Sequence, residues 1–237
     1  MLSVFYDIFA WIGRHDSETW ARPPERVRAE VRAARRLLSL CFGDVTAGVL
    51  PVLFAQDAEG DSNRGLGGWG LGVGFPDEES LLRVLSESIG RGVPRDMDLS
   101  LSCTSAPQWV RIGEEQIPLS WTDGTLPWHD VLARAHSYHE HITVCEARVL
   151  LRSYEIAAKI PQFRRARMLA LEDNQAVKGS WAKGRSASWP LNQILRRRAA
   201  IEGGSSIELA TAWVGTLRMP LDKLSRERIV RRTSCAH

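Results

Sequence analysis

No apolar run in the sequence approaches the roughly 20 residues that a membrane-spanning helix requires, so a helical membrane protein is not expected. Cysteine is sparse and scattered. Cys41, Cys103, Cys145 and Cys235 lack the paired spacing of a disulfide framework, which points to reduced thiols in an intracellular protein. Residues 1–13 are apolar, but the stretch is short, carries Asp7 and has no basic leader, so it does not read as a signal peptide. The expected location is cytoplasmic or nuclear. Internal repeats and low-complexity tracts are absent, which excludes a repeat array. Net charge is also small, at +3.

The composition supports a packed core. Hydrophobic residues make up 44% and charged residues 25%, a balance that argues against wholesale disorder. A chain of 237 residues accommodates one α/β domain with additional elements, or two small domains. The small net charge hides an asymmetry. Residues 160–237 hold 15 Lys and Arg against 6 Asp and Glu, whereas 1–159 hold 16 against 22. A basic C-terminal third is what a polyanion-binding face requires, although solvated helix surfaces give the same imbalance.

Apolar patterning predicts a helix over 24–42, with Val27, Val31, Ala34 and Leu38 on one face and Gly43 as its stop. Residues 49–55 read as a buried strand ending in Gln56-Asp57-Ala58. A polar turn over 59–65 follows. Then 66–75 alternates glycine with larger residues, as in a strand hairpinned to the first. A helix over 77–89 and a strand near 108–112 are expected next. Residues 144–159 form an amphipathic helix, with Thr143 and Glu146 in the spacing of a capping box. A strand over 167–171, a helix over 191–201, a strand over 207–214 and a basic, partly helical tail from Pro220 complete the reading. A β-hairpin followed by βαβ units implies a mixed sheet with helices on its faces.

Three acids stand where such a sheet builds sites. Asp57 and Asp173 follow apolar strands, and Glu146 lies in the first turn of the helix between them. Carboxylates converging there repel one another unless cations are present, and hard oxygen ligands favour Mg²⁺. Each acid also has a purely structural reading. Glu146 serves as the capping-box partner of Thr143, Asp57 as a turn residue, and Asp173 with Asn174 as the cap of the next helix.

The segment Val52-Leu-Phe-Ala-Gln-Asp57-Ala58, with its turn and glycine-rich second strand, resembles the opening hairpin of ribonuclease H. His141-Ile142-x-x-x-Glu146-Ala147-x-x-Leu150 resembles the helix bearing that family's catalytic Glu. Leu171-x-Asp173-Asn174-x-Ala176, followed by Lys183-Gly184-Arg185-Ser186, resembles the third motif in ribonuclease H domains of DIRS-type and related retroelements. Met219-Pro220-Leu221-Asp222-x-x-Ser225-Arg226 is similar to their closing segment, with Met219 where Asn is usual and Leu221 where a small residue is usual. The resemblance covers about 45–227.

It implies a ribonuclease H-like mixed five-stranded sheet with helices on both faces and a helical N-terminal extension over 1–43. It implies a domain over 44–237 with a long insertion near 76–140. It also implies that Asp57, Glu146, Asp173 and Asp222 are catalytic and hold Mg²⁺ or Mn²⁺. The implied reaction is hydrolysis of the RNA strand of an RNA–DNA hybrid within a retroelement replication machinery, with a reverse transcriptase polymerase domain as a possible partner. A decayed nucleic-acid-binding or connection domain of the same fold, or a DNA nuclease, is the alternative. No Tyr-x-Asp-Asp polymerase signature is present. Lys178, Lys183 and Arg185 are the candidate phosphate contacts, with Trp181 and Trp189 beside them as stacking residues or core anchors.

Three other patterns carry less. Gly65-x-Gly67-x-x-Gly70 lies in an alternating strand and opens no helix, so no dinucleotide site is expected. His136, His139, His141 and Cys145 fit no standard zinc spacing. Arg196, Arg197 and Arg198 are consecutive and so point around a helix.

Overall fold

The apolar run after residue 48 becomes the central strand of a five-stranded sheet. A computed structural model of the protein describes residues 5–15, 20–37, 47–60, 67–90, 117–137 and 139–222. Strand β1 (Gly48–Ala58) pairs antiparallel with β2 (Gly68–Gly74) on one side and parallel with β4 (Ala166–Glu172) on the other. Strand β3 (Trp128–Ala135) adds antiparallel to β2, and β5 (Glu208–Trp213) adds parallel to β4, giving the order β3-β2-β1-β4-β5. The mixed five-stranded sheet expected from the sequence is therefore present.

Pro51 offers no N–H to a ladder. It sits where the β1–β4 register shifts, between Val49 and Leu53. The alternating glycines of β2 let neighbouring side chains approach the sheet closely. A Cβ at Gly72 would lie 3.0 Å from Leu221 Cδ1, and one at Gly74 would lie 2.8 Å from Leu126 Cδ2.

Both faces of the sheet are covered. On one, Phe54, Met168 and Leu209 pack against α4 (Ile142–Ala157), α5 (Gln175–Lys183) and α6 (Trp189–Ser205). On the other, Leu53, Leu169 and Leu171 meet Leu81, Val84 and Leu85 of α3 (Glu78–Gly90) together with Trp121. Burying the polar ends of aromatic side chains requires partners. Tyr154 Oη donates to the carbonyl of Ile207, and Trp181 Nε1 donates to that of Leu209 at 2.9 Å. Trp181 is thus a core anchor, and exposed Trp189 is not.

Several expectations need correction. The 76–140 stretch is not simply an insertion, because α3 covers one sheet face and β3 forms an edge of the sheet. The strand expected near 108–112 lies outside the described residues. Helix α5 is an additional element. Asn174, not Asp173, caps it, accepting from the N–H groups of Ala176 (2.9 Å) and Val177 (3.2 Å). It ends at Gly184, whose φ of +64° is left-handed.

The N-terminal segment forms α1 (Tyr6–Ile12) and α2 (Glu25–Leu37), and the expected end of α2 at residue 42 lies outside the described residues. Glu30 accepts from Asp7 N and Ile8 N at the start of α1, and from Arg196 Nη2 of α6 at 3.3 Å. The tail beyond Asp222 also lies outside. No helix among the described residues is long and apolar enough to cross a membrane.

Candidate active site

Each of the four acids is placed by a different part of the chain. Asp57 is the penultimate residue of β1. It lies within the ladder opposite Gly70, which removes its reading as a turn residue. In the parallel β1–β4 ladder the last couple is Ala55 with Leu171, so Asp57 and Asp173 follow two residues later at the carboxyl ends of adjacent strands.

Helix α4 brings Glu146 over this edge. Its cap is His141, whose Nδ1 accepts from Thr143 N at 3.3 Å, so the capping-box reading of Glu146 is wrong. Glu146 sits in the next turn. There one carboxylate oxygen accepts from Asn174 Nδ2, an amide that also donates to Thr143 Oγ1 at 3.3 Å. Asp222 arrives through the segment after β5, whose last residue, Trp213, donates from Nε1 to the carbonyl of Asp173 (3.2 Å).

These four acids line one cleft of about 270 Å³, together with Ala58, Glu59, Gly60, Ile142 and Thr216. No basic side chain is among the described residues that line it. Asp57 and Glu146 are buried, at 7% and 8% exposure, which is unusual for carboxylates that a cation does not hold.

The electrostatics follow from this crowding. Burial, then the charges of Asp173 and Asp57, push the Glu146 carboxyl up to about 8, against the opposing hydrogen bond from Asn174. Burial and the charge of Asp222 raise Asp173, while a hydrogen bond from Thr216 pulls it back. Glu172 is pushed well above the usual carboxylate range by burial and by Glu146, even though Asn174 N (3.1 Å) and Gln56 Nε2 (3.1 Å) donate to it.

The donor set is all oxygen, as Mg²⁺ and Mn²⁺ prefer. Asp173 Oδ1 is buried with no hydrogen-bond partner among the described residues, and Glu59 Oε2 is in the same position. Such orphaned oxygens suit a cation. As the side chains stand, no group of three or more His, Cys, Asp or Glu among the described residues is arranged to hold a metal ion. Glu146 is turned toward Asn174 and Asp173 toward Thr216.

The remaining candidates lie elsewhere. None of Lys178, Lys183 and Arg185 lines the cleft. Lys178 is half-buried on α5, and Lys183 is exposed in its last turn. The Arg185 guanidinium lies 4.4 Å from the ring centre of Phe9 in α1. Of the histidines, His141 is engaged as the helix cap, and buried Cys145 contacts the carbonyl of Glu140 through Sγ (3.8 Å). Arg196, Arg197 and Arg198 diverge to Glu30, Glu155 and Trp181.

Glu59, Thr216 and Asn174 are the site residues that sequence reasoning did not assign. Glu59 is two residues past Asp57. Thr216 carries no signal until the segment after β5 is folded back. In comparisons with known proteins, no family model matches the chain and no curated protein matches it significantly.

Proposed function

We propose that this chain is a metal-dependent nuclease of the ribonuclease H type, hydrolysing the RNA strand of RNA–DNA hybrids. The observation that carries the reading is the meeting of Asp57, Glu146, Asp173 and Asp222, distant in sequence, in one cleft at the carboxyl edge of the sheet. The sheet adds support. An antiparallel β1–β2 hairpin flanked by parallel β4 and β5 is the mixed architecture that the sequence resemblance implies.

In this reading the four carboxylates hold Mg²⁺, with Asp222 the fourth and more variable of them. When bound, Mg²⁺ lowers the pKa of a water and stabilises the leaving oxygen of the phosphodiester. The protein's own groups orient the carboxylates. Asn174 steers Glu146, and Thr216 steers Asp173. In this reading proton removal from water rests with the carboxylates and solvent. The reaction belongs to replication of a retroelement, with a polymerase domain as partner.

The test is cleavage of an end-labelled RNA–DNA hybrid with Mg²⁺, beside duplex DNA and single strands. The parent cuts the hybrid's RNA strand. Asp57→Asn loses more than about 100-fold, beyond the roughly 10- to 100-fold typical of a residue that only supports a ligand. Hybrid binding by both proteins with cleavage by neither would identify a non-catalytic binding or connection domain. Preference for duplex DNA would identify a DNA nuclease.

A further inference from the structure

Helix α2 carries five arginines and two glutamates. At 100° per residue, Val27, Glu30 and Ala34 share the face turned to the rest of the protein, where Glu30 binds α1 and Arg196. Arg28, Arg32, Arg35 and Arg36 fall on the opposite face. Arg28 and Arg32 share Glu25 as counter-ion, and Arg26 meets Asp7 at 3.5 Å. Arg35 and Arg36, both exposed, form no ion pair with any described residue. With Arg32 they line a cleft of about 370 Å³ in which these are the only described lining residues. The i, i+3, i+4 spacing of Arg32, Arg35 and Arg36 makes their side chains neighbours on one face of the helix.

We propose that Arg32, Arg35 and Arg36 form a phosphate-binding surface, separate from the carboxylate cleft, that grips the sugar–phosphate backbone of a nucleic-acid strand. Guanidinium forks match phosphate oxygens bidentately, and Arg35 and Arg36, which form no ion pair with a described residue, gain most from a polyanion that releases its counter-ions. The choice of a nucleic-acid strand over a free phosphate rests on the proposed function. The phosphate chemistry itself does not. This surface supplies the backbone grip that the acidic cleft cannot.

Binding of a labelled RNA–DNA hybrid is measured in EDTA, so that cleavage plays no part, across a salt series. The full chain is compared with Arg35→Ala/Arg36→Ala and with a control, Arg152→Ala/Arg197→Ala, that removes equal charge from arginines paired with Glu155. The first variant is expected to bind at least about tenfold more weakly at about 0.1 M salt, with the slope of log K against log salt reduced by about 2. Arg35→Lys/Arg36→Lys should recover part of this loss. The control should match the parent, and all should melt alike.

An unchanged slope for the alanine variant, or an equal loss in the control, overturns the proposal. So does loss of pyrophosphate binding with hybrid binding intact, which would mark a free-anion site, or competition by polyglutamate as strong as by the hybrid. Arginine-dependent binding without cleavage would leave this inference standing while the nuclease reading fails. Cleavage by the parent with an unaffected slope in the variant would do the reverse.

Discussion

Glu146 is the residue on which chemistry and stability pull against each other. Its carboxyl titrates at about 8 in the folded protein, against 4.5 when free. Below pH 4.5 both folded and unfolded chains hold the proton and nothing is lost. Above it the unfolded chain releases the proton first, so stability falls as the pH rises toward 8 and the penalty is complete beyond it. At about 1.4 kcal/mol per pH unit, the shift corresponds to a cost on the order of 5 kcal/mol in metal-free solution. Glu146→Gln keeps an oxygen to accept from Asn174 and removes the charge. In EDTA this variant should melt roughly 10 °C or more above the parent at pH 8 and level with it near pH 4.5. Thermal denaturation at the two pH values checks this, and equal melting at pH 8 would remove Glu146 from the repelling cluster. Thr216 tests the opposite case, a residue whose role is orientation. Thr216→Val keeps the shape but deletes the donor to Asp173, so hybrid cleavage should fall roughly 10- to 100-fold with little change in melting temperature.

At the scale of elements, Glu59 and Gly60, just past the end of β1, set one wall of the cleft. A Cβ at Gly67 would lie 1.9 Å from the carbonyl oxygen of Glu59 and 2.6 Å from that of Gly60. These are backbone atoms that cannot swing away. Gly67→Ala should therefore cost about 2 kcal/mol and lower cleavage by displacing the Glu59–Gly60 wall. Gly203, inside α6, has open space where a Cβ would go, so Gly203→Ala should stabilise by about 0.5–1 kcal/mol without touching activity. Denaturant titration of both variants checks the contrast. What could be read from the sequence divides along similar lines. Strands β1, β4 and β5 and helices α4 and α6 were legible because both sheet faces are covered, which leaves continuous apolar runs or a clear helical stripe. Strand β3 was not, because it is an edge strand whose His129, Asp130 and Val131 are exposed, and polar residues on an edge look like loop. Helix α5 is short and contains Gly179 and Ser180, weak helix formers, so its existence rests on the Asn174 cap and on burial of Trp181. In the site, Asp57 and Asp173 were visible as acids ending strands. Thr216 was invisible because only the fold of the segment after β5 brings it to Asp173.

For the whole molecule, the separation of charge decides what a divalent ion would do. The carboxylate cleft concentrates repulsion at one edge of the sheet, while Arg35 and Arg36 on α2 form no ion pair with any described residue. A cation in the cleft would be linked to folding twice, by binding only the folded chain and by displacing the proton that burial and the neighbouring acids favour on Glu146. Protons compete with the metal for Glu146 below its raised pKa of about 8, so stabilisation by Mg²⁺ must grow with pH. At about a hundred times its dissociation constant, an ion bound to the folded state contributes about 2.7 kcal/mol, which for a chain of this size corresponds to roughly 5–10 °C. Millimolar Mg²⁺ should raise the melting temperature by that order at pH 8, by much less at pH 5, and not at all in Asp57→Asn at either pH. A general salt effect would follow ionic strength and act alike on parent and variant, so NaCl matched for ionic strength separates the two. If melting at pH 8 is indifferent to Mg²⁺ and Mn²⁺ alike, these carboxylates do not hold metal, and the nuclease reading falls with them.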